Sequence, residues 1–169
     1  MIELIIVIVV AGILAAVLLP RLERDPAREA AEQVAQHIRY AQHLAMVDDV
    51  YDATANWYEK RWSIDLCDEK YSVKRANGSQ TAVDPLSKKP MDGDQTKSFD
   101  LTQRFGVTTP PLSGNCKITF DNLGRPYYST SAAVSDTPAT VDATVSLTAN
   151  GQTYTITVTR QTGYTVVNY

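Results

Sequence analysis

The first twenty residues contain no lysine and no arginine, and their only charge is Glu3. That absence argues against a cleaved secretory signal, which needs a positive n-region and a small-residue cleavage site before the charged stretch. Cysteine is scarce. Cys67 and Cys116 are too few for a disulfide-dense scaffold and lack the spacing of a zinc ligand set. Outside the cytoplasm they can pair, closing a loop of about 50 residues worth roughly 3–4 kcal/mol by loop-closure entropy. In a reducing compartment they read as two buried thiols. Basic residues are not in excess, 16 Lys and Arg against 19 Asp and Glu for a net charge of −3. The chain therefore lacks the electrostatic footprint of a nucleic-acid binder.

Catalytic and ligand-binding signatures are missing too. The two histidines, His37 and His43, stand six apart on a helical stretch and so nearly on opposite faces, which excludes a two-His metal clamp. No Ser or Cys motif accompanies either of them, and no Gly-rich phosphate loop is present, so neither an enzyme nor a cofactor is expected. Asp92-Gly93-Asp94, with Asp84 and Asp100 nearby, offers oxygen ligands for Ca²⁺. Without the twelve-residue EF-hand pattern this reads as a solvated acidic loop, and no metal site is assigned.

What the chain does have is an uncharged apolar run, Leu4–Leu19, headed by Glu3 and closed by Pro20. About 16 such residues span roughly 24 Å as a helix, slightly short of a hydrocarbon core. A charge at the mouth of such a segment is unfavourable, by roughly 2.5–3.5 kcal/mol at the bilayer centre and less near an interface. A plain single-pass anchor with a snorkelling glutamate tolerates that charge without explaining it. A segment that leaves the bilayer to be buried against copies of itself can partner it, and a partnered charge is far less costly.

From Ala27 to Val47 there is no Gly or Pro, and good helix formers dominate. Ala27, Ala31, Val34, Ile38, Ala41 and Ala45 draw one narrow apolar stripe. An apolar half-helix thus continues into an amphipathic one, with Gly12 and Pro20 bracketing a weak stretch and Pro26 offering a second bend. Asp48, Asp49 and Asp52 come where the helix should end and oppose its dipole there. After residue 50 the period changes. Trp62-Ile64-Leu66, Tyr71-Val73, Ile118-Phe120, Val145-Leu147 and Tyr154-Ile156-Val158 alternate with polar neighbours, as half-buried strands do. Asn150-Gly151 predicts a two-residue hairpin, Asn77-Gly78 and Gly163 further turns, and Tyr164–Asn168 a last strand. Val83–Pro111 shows little alternation and reads as a long surface excursion. The expected fold is α+β, a long N-terminal helix on a C-terminal antiparallel sheet. Its parts are an apolar half-helix at 1–25, an amphipathic half at 26–50 and a β-rich head at 51–169.

Ile2-Glu3-Leu4 followed by the apolar run resembles the N-terminal segment of type IV pilins and type II secretion pseudopilins. Glu3 and Pro20 stand at that family's glutamate-to-proline spacing. Its leader peptide and first two mature residues precede the position where Met1 aligns, so the resemblance places the mature start two residues upstream. The resemblance implies a structural subunit of a pilus or pseudopilus. Prepilin peptidase would process it, the inner membrane would hold it by one span, and it would then polymerise with copies of itself or other pilins into an extracellular or periplasmic filament. Glu3 would pair with the methylated N-terminal amine of an adjacent subunit. Leu4–Leu19 would be both anchor and filament core, and Gly12–Pro20 the stretch that unwinds on assembly.

A second, shorter resemblance concerns Phe120-Asp121-Asn122-Leu123-Gly124-Arg125-Pro126 and Ile156–Val167, which are similar to the sheet of GspH/FimT-type minor subunits. In physical terms Gly124 permits the turn, Pro126 ends it, and Arg125 reads as a surface or turn-stabilising residue rather than a catalytic one. Major type IVa pilins usually carry a disulfide near the C-terminus, and the last 50 or so residues here contain no Cys, a departure that favours a pseudopilin-like or otherwise atypical pilin and leaves open whether the subunit is abundant or a tip component. A membrane-tethered periplasmic binding domain that never polymerises is the remaining alternative.

Overall fold

The computed structural model describes residues 2–18, 24–48, 50–108, 116–130 and 133–169. Helix α1 runs Ile2–Leu18, and α2 runs Pro26–Val47. The two are not one continuous helix. Asp25 is extended, at φ −100° and ψ 91°, and its carboxylate accepts the Arg28 amide at 3.1 Å as the N-cap of α2. Pro26 follows at the first helical position, where its missing N–H costs nothing. Tyr154 donates its hydroxyl to the same carboxylate at 2.5 Å, tying the start of α2 to the head. That bond and the Arg28 amide hold the Asp25 carboxyl below its usual range.

The expected α2 stripe is buried throughout, and Ala30 and Ala35 join it. The stripe is therefore broader than the six-residue spacing implies. Small alanine side chains let the helix lie close against strands on both sides, while Val34 and Ile38 supply the larger apolar contacts, roughly 1.5–3 kcal/mol each.

The head contains two antiparallel sheets rather than one. The strands β1 (Trp62–Asp65), β2 (Ser72–Arg75), β3 (Lys117–Phe120) and β4 (Pro126–Ser129) form a sheet in the order β2-β1-β3-β4. A second sheet has the order β5-β6-β7, with β5 at Ala143–Ala149, β6 at Gln152–Val158 and β7 at Thr165–Asn168. Helix α2 packs on both sheets, so one helix face supplies the common core. Asn150 and Gly151 both have positive φ, 52° and 76°, as a type I′ hairpin between β5 and β6 requires.

The reading of Val83–Pro111 as a surface excursion is corrected for its described part, Val83–Thr108. Met91, Phe99, Leu101, Phe105 and Val107 are all buried. The segment meets β2 through the single-residue bridge Ser72↔Asp92 and the residue two before β2 through Lys70↔Asp100, and closes into a short helix α3, Leu101–Phe105. Isolated bridges bury one side chain at a time, so no period of two is written into the sequence. Residues 109–111 lie outside the described residues, as do Pro20 and Asp49.

Candidate functional site

Glu3 lies in the first turn of α1, where the partial positive charge of the helix N-terminus favours a carboxylate. Around and after it the apolar side chains are open to solvent, Leu4 at 66 %, Ile8 at 63 % and Ile13 at 60 %. Exposure of this kind along residues 2–16 is far beyond the scattered apolar residues of an ordinary soluble surface. Gly12 does not interrupt the helix, and a Cβ added there would meet nothing within 4 Å. At 17 residues α1 is about 25 Å long. Among the described residues, no helix is long and apolar enough to cross a membrane. Pro20, the other half of the glutamate-to-proline spacing, lies outside the described residues.

In the head, Cys67 and Cys116 form a disulfide with Cα atoms 4.8 Å apart. They sit just beyond the last β1–β3 pair, Asp65↔Lys117, whose side chains approach to 3.7 Å as an ion pair. The bond thus clips the two central strands where pairing ends, with Leu66 donating its amide to the Cys116 carbonyl at 3.0 Å. Among the described residues, Asp65, Cys67 and Cys116 are the His/Cys/Asp/Glu group close enough for metal ligation. Their sulfurs are bonded to each other, so no thiolate pair is present to bind one.

The acidic loop residues are dispersed into local structural roles. Asp84 accepts the amides of Leu86 and Ser87, Asp92 accepts those of Asp94 and the Gln95 side chain, and Asp94 pairs with Lys70 at 3.2 Å. Asp100 caps α3 through the Gln103 amide at 2.9 Å. Asp48 does more than oppose the helix dipole. It accepts the Trp62 indole N–H at 2.9 Å and Arg75 at 2.6 Å, latching the end of α2 to β1 and β2. Asp52 pairs with Lys60 and Thr54, and these bonds hold its carboxyl down at about 2.

Three groupings have no sequence signature. Gln42, from α2, donates to the carbonyls of Gly124 and Thr162, each at 2.9 Å. It thereby joins the β3–β4 turn to the β6–β7 turn, one from each sheet. Both turns bring glycines with positive φ against it, and a Cβ on Gly163 would sit 2.5 Å from Gln42 Nε2. Asp121 is almost fully buried and organises the first of these turns, accepting the Leu123 and Arg125 amides and the Arg125 guanidinium at 2.7 Å. Of the two roles expected for Arg125, surface or turn-stabilising, its bond to Asp121 gives it the second while its side chain stays half exposed.

The second grouping centres on Tyr71, which is buried and touches both Gln33 and His37 of α2 at 2.6 Å. Gln33 donates to the tyrosine oxygen and to the Ser98 carbonyl at 2.9 Å, so the Tyr71 hydroxyl donates to His37 Nδ1. Burial pushes the imidazole down to about 4 and the phenol upward. His37 is neutral at ordinary pH. The third grouping is Arg61, whose side chain is 3 % exposed between the rings of Trp57 and Tyr127.

Comparison with protein-family profiles, with curated proteins and with solved structures found no match.

Proposed function

We propose that this chain is a structural subunit of a type IV pilus or pilus-like filament, held by its N-terminal helix in the inner membrane and then polymerised through it. The observation that carries the reading is the contrast between the two helices. All eight buried positions of α2 belong to the core it shares with its own head. The apolar side chains of α1 over residues 2–16 are exposed, and Glu3 in its first turn is the segment's only charge. A helix with no fold-internal use for its apolar surface needs lipid, or the same helix of neighbouring copies, and the two environments in succession fit an assembling subunit. Glu3 then pairs with the N-terminal amine of the adjacent subunit, which sets the register of addition. Leu4 and the residues after it form the filament core.

The head supports the same reading through its disulfide, which suits an oxidising compartment beyond the inner membrane. The Asp121–Arg125 turn and the position of that disulfide, joining β1 to β3 rather than enclosing the C-terminal strands, favour a GspH/FimT-type minor subunit over a major pilin. Electron microscopy of sheared surface fractions, with mass spectrometry of the subunit N-terminus, tests the proposal. Filaments containing this chain with a methylated terminal amine are expected. The chain recovered only as a membrane-bound monomer, with an unmodified terminus, would favour a tethered periplasmic binding domain.

A further inference from the structure

One face of α2, carrying Gln33, Gln36 and His37, and the segment 84–105 wall a groove of about 590 Å³, within the roughly 300–1,000 Å³ typical of small-molecule sites. The hydrogen bonds already made inside the fold decide which groups the groove presents. Gln33 commits its amide N–H groups to Tyr71 and the Ser98 carbonyl, and so presents Oε1 as an open acceptor. Tyr71 donates to His37 Nδ1, which leaves the proton of the neutral imidazole on Nε2. That N–H has no bond among the described residues and is not sealed from solvent. Gln36 is exposed and makes no bond among the described residues, so its amide offers a donor and an acceptor together. Arg104 reaches the Ser98 carbonyl at 3.4 Å, with its guanidinium carbon 4.9 Å from the Phe105 ring centre. Its other N–H groups are open.

The charges of the groove argue against an ionic ligand. Both Glu29 oxygens are held by Arg24, at 2.9 and 2.7 Å. Glu32 Oε1 is held by Arg28 and Tyr169, and both Asp84 oxygens by Leu86 and Ser87. An anion would enter among three carboxylates, and a cation would face Arg104. What stays open is a set of donors and acceptors side by side, with each carboxylate already held. That pattern suits a neutral molecule whose adjacent groups each donate and accept, as the hydroxyls of a sugar do. An extended peptide fits less well. Such peptides pair main chain to main chain at sheet edges, and the floor here is a helix whose backbone is internally bonded. Leu86, 92 % exposed, offers an apolar rim to the C–H face of a sugar ring. We propose that this groove binds a neutral mono- or disaccharide, its hydroxyls on Gln33, Gln36, His37 Nε2 and Arg104 and one C–H face against Leu86. The site stands apart from α1 and does not rest on the filament reading.

The test uses the full chain in a polyoxyethylene detergent, which carries no sugar headgroup, with maltose, lactose and cellobiose as probes. Glucuronate and glucosamine are the charged comparisons, and N-acetyl-trialanine amide is the peptide one. Binding is read by calorimetry and by the ring-nitrogen resonances of isotope-labelled histidine. His43, exposed on α2 and outside the groove lining, serves as the internal reference. At neutral pH His37 should show the Nε2–H tautomer. At least one disaccharide should saturate with a Kd of about 1 mM, the scale of a few neutral hydrogen bonds, and shift His37 Nε2 while His43 stays unchanged. Arg104→Ala should weaken binding about tenfold, as loss of a charge-assisted bond implies, and Gln36→Ala about threefold. Both side chains lie at the surface, so thermal unfolding should match wild type. Should either variant be unstable, Gln36→Trp, which fills the groove from the helix, should abolish the His37 response. No saturation with any of the three sugars would overturn the proposal, as would tighter binding of glucuronate or glucosamine. A peptide amide that shifts His37 where the sugars do not would overturn it too, as would sugar binding that both single variants leave at wild-type strength.

Discussion

Lowering the pH from 6.5 to about 4 should destabilise the head through His37, and in the lower part of that window through the carboxylates held below their usual range as well. Burial is the largest cause of the depressed imidazole value, opposed by the Asp84 carboxylate and reinforced by the Arg104 guanidinium. The unfolded chain takes up a proton near 6.5, whereas the folded chain resists it to about 4. Above pH 6.5 both states are neutral at this ring and His37 contributes no pH dependence. Between those values the unfolded state binds more protons, so stability falls as pH falls, and below about 4 the loss is complete. A difference of 6.5 to about 4, at 1.36 kcal/mol per pH unit, amounts to about 3 kcal/mol. The hydrogen bonds give a structural reason for the same sign. Tyr71 donates to His37 Nδ1 and accepts from Gln33, so a protonated Nδ1 would set donor against donor. The assay is urea unfolding followed by near-UV circular dichroism at half-unit pH steps, on wild type and His37→Gln. The wild-type unfolding free energy should fall by about 3 kcal/mol more than that of the variant across the window, the carboxylates contributing equally to both. Parallel curves for the two proteins would refute the burial argument.

Gln42→Ala removes two donor bonds and leaves the Gly124 and Thr162 carbonyls without their partner, a loss of about 2 kcal/mol in chemical unfolding. Gly163→Ala should cost at least as much, because its φ is +67° and the new Cβ meets Gly124, Gln42 and Phe120 together. The double variant should be less destabilised than the sum, since both changes disrupt one contact. Replacing Cys67 and Cys116 together by serine opens a loop with 49 residues of separation and should lower stability by about 4 kcal/mol, read as a fall in Tm.

The helices and most strands were legible because each buries one face and so writes a period into the sequence. Ala27 to Ala45 recurs at helical spacing, and the β5 and β6 residues alternate around an Asn-Gly turn that needs positive φ twice. Legibility failed where burial is not periodic. Met91, Phe99 and Val107 enter the core one at a time from a segment bridged to β2 at single residues, and nothing in their neighbours announces it. The division into two sheets was equally hidden, because alternation reveals which face of a strand is buried and not which strand it pairs with. The Gln42 clasp and the Tyr71–His37–Gln33 group depend on residues brought together across 34 to 120 positions. Asp48 shows the opposite lesson. Its place at the end of α2 was visible, but its two partners, Trp62 and Arg75, turn an unfavourable charge into a latch.

The central claim is that Glu3 serves assembly rather than anchoring. Glu3→Leu removes the one charge of an apolar helix, so membrane insertion should be at least as efficient as in wild type, scored by fractionation. Electron microscopy of sheared fractions from the same cells, in a strain making filaments that contain this chain, is the deciding measurement. The account predicts membrane-inserted subunit absent from the filaments, and wild-type incorporation of the Glu3→Leu chain would contradict it.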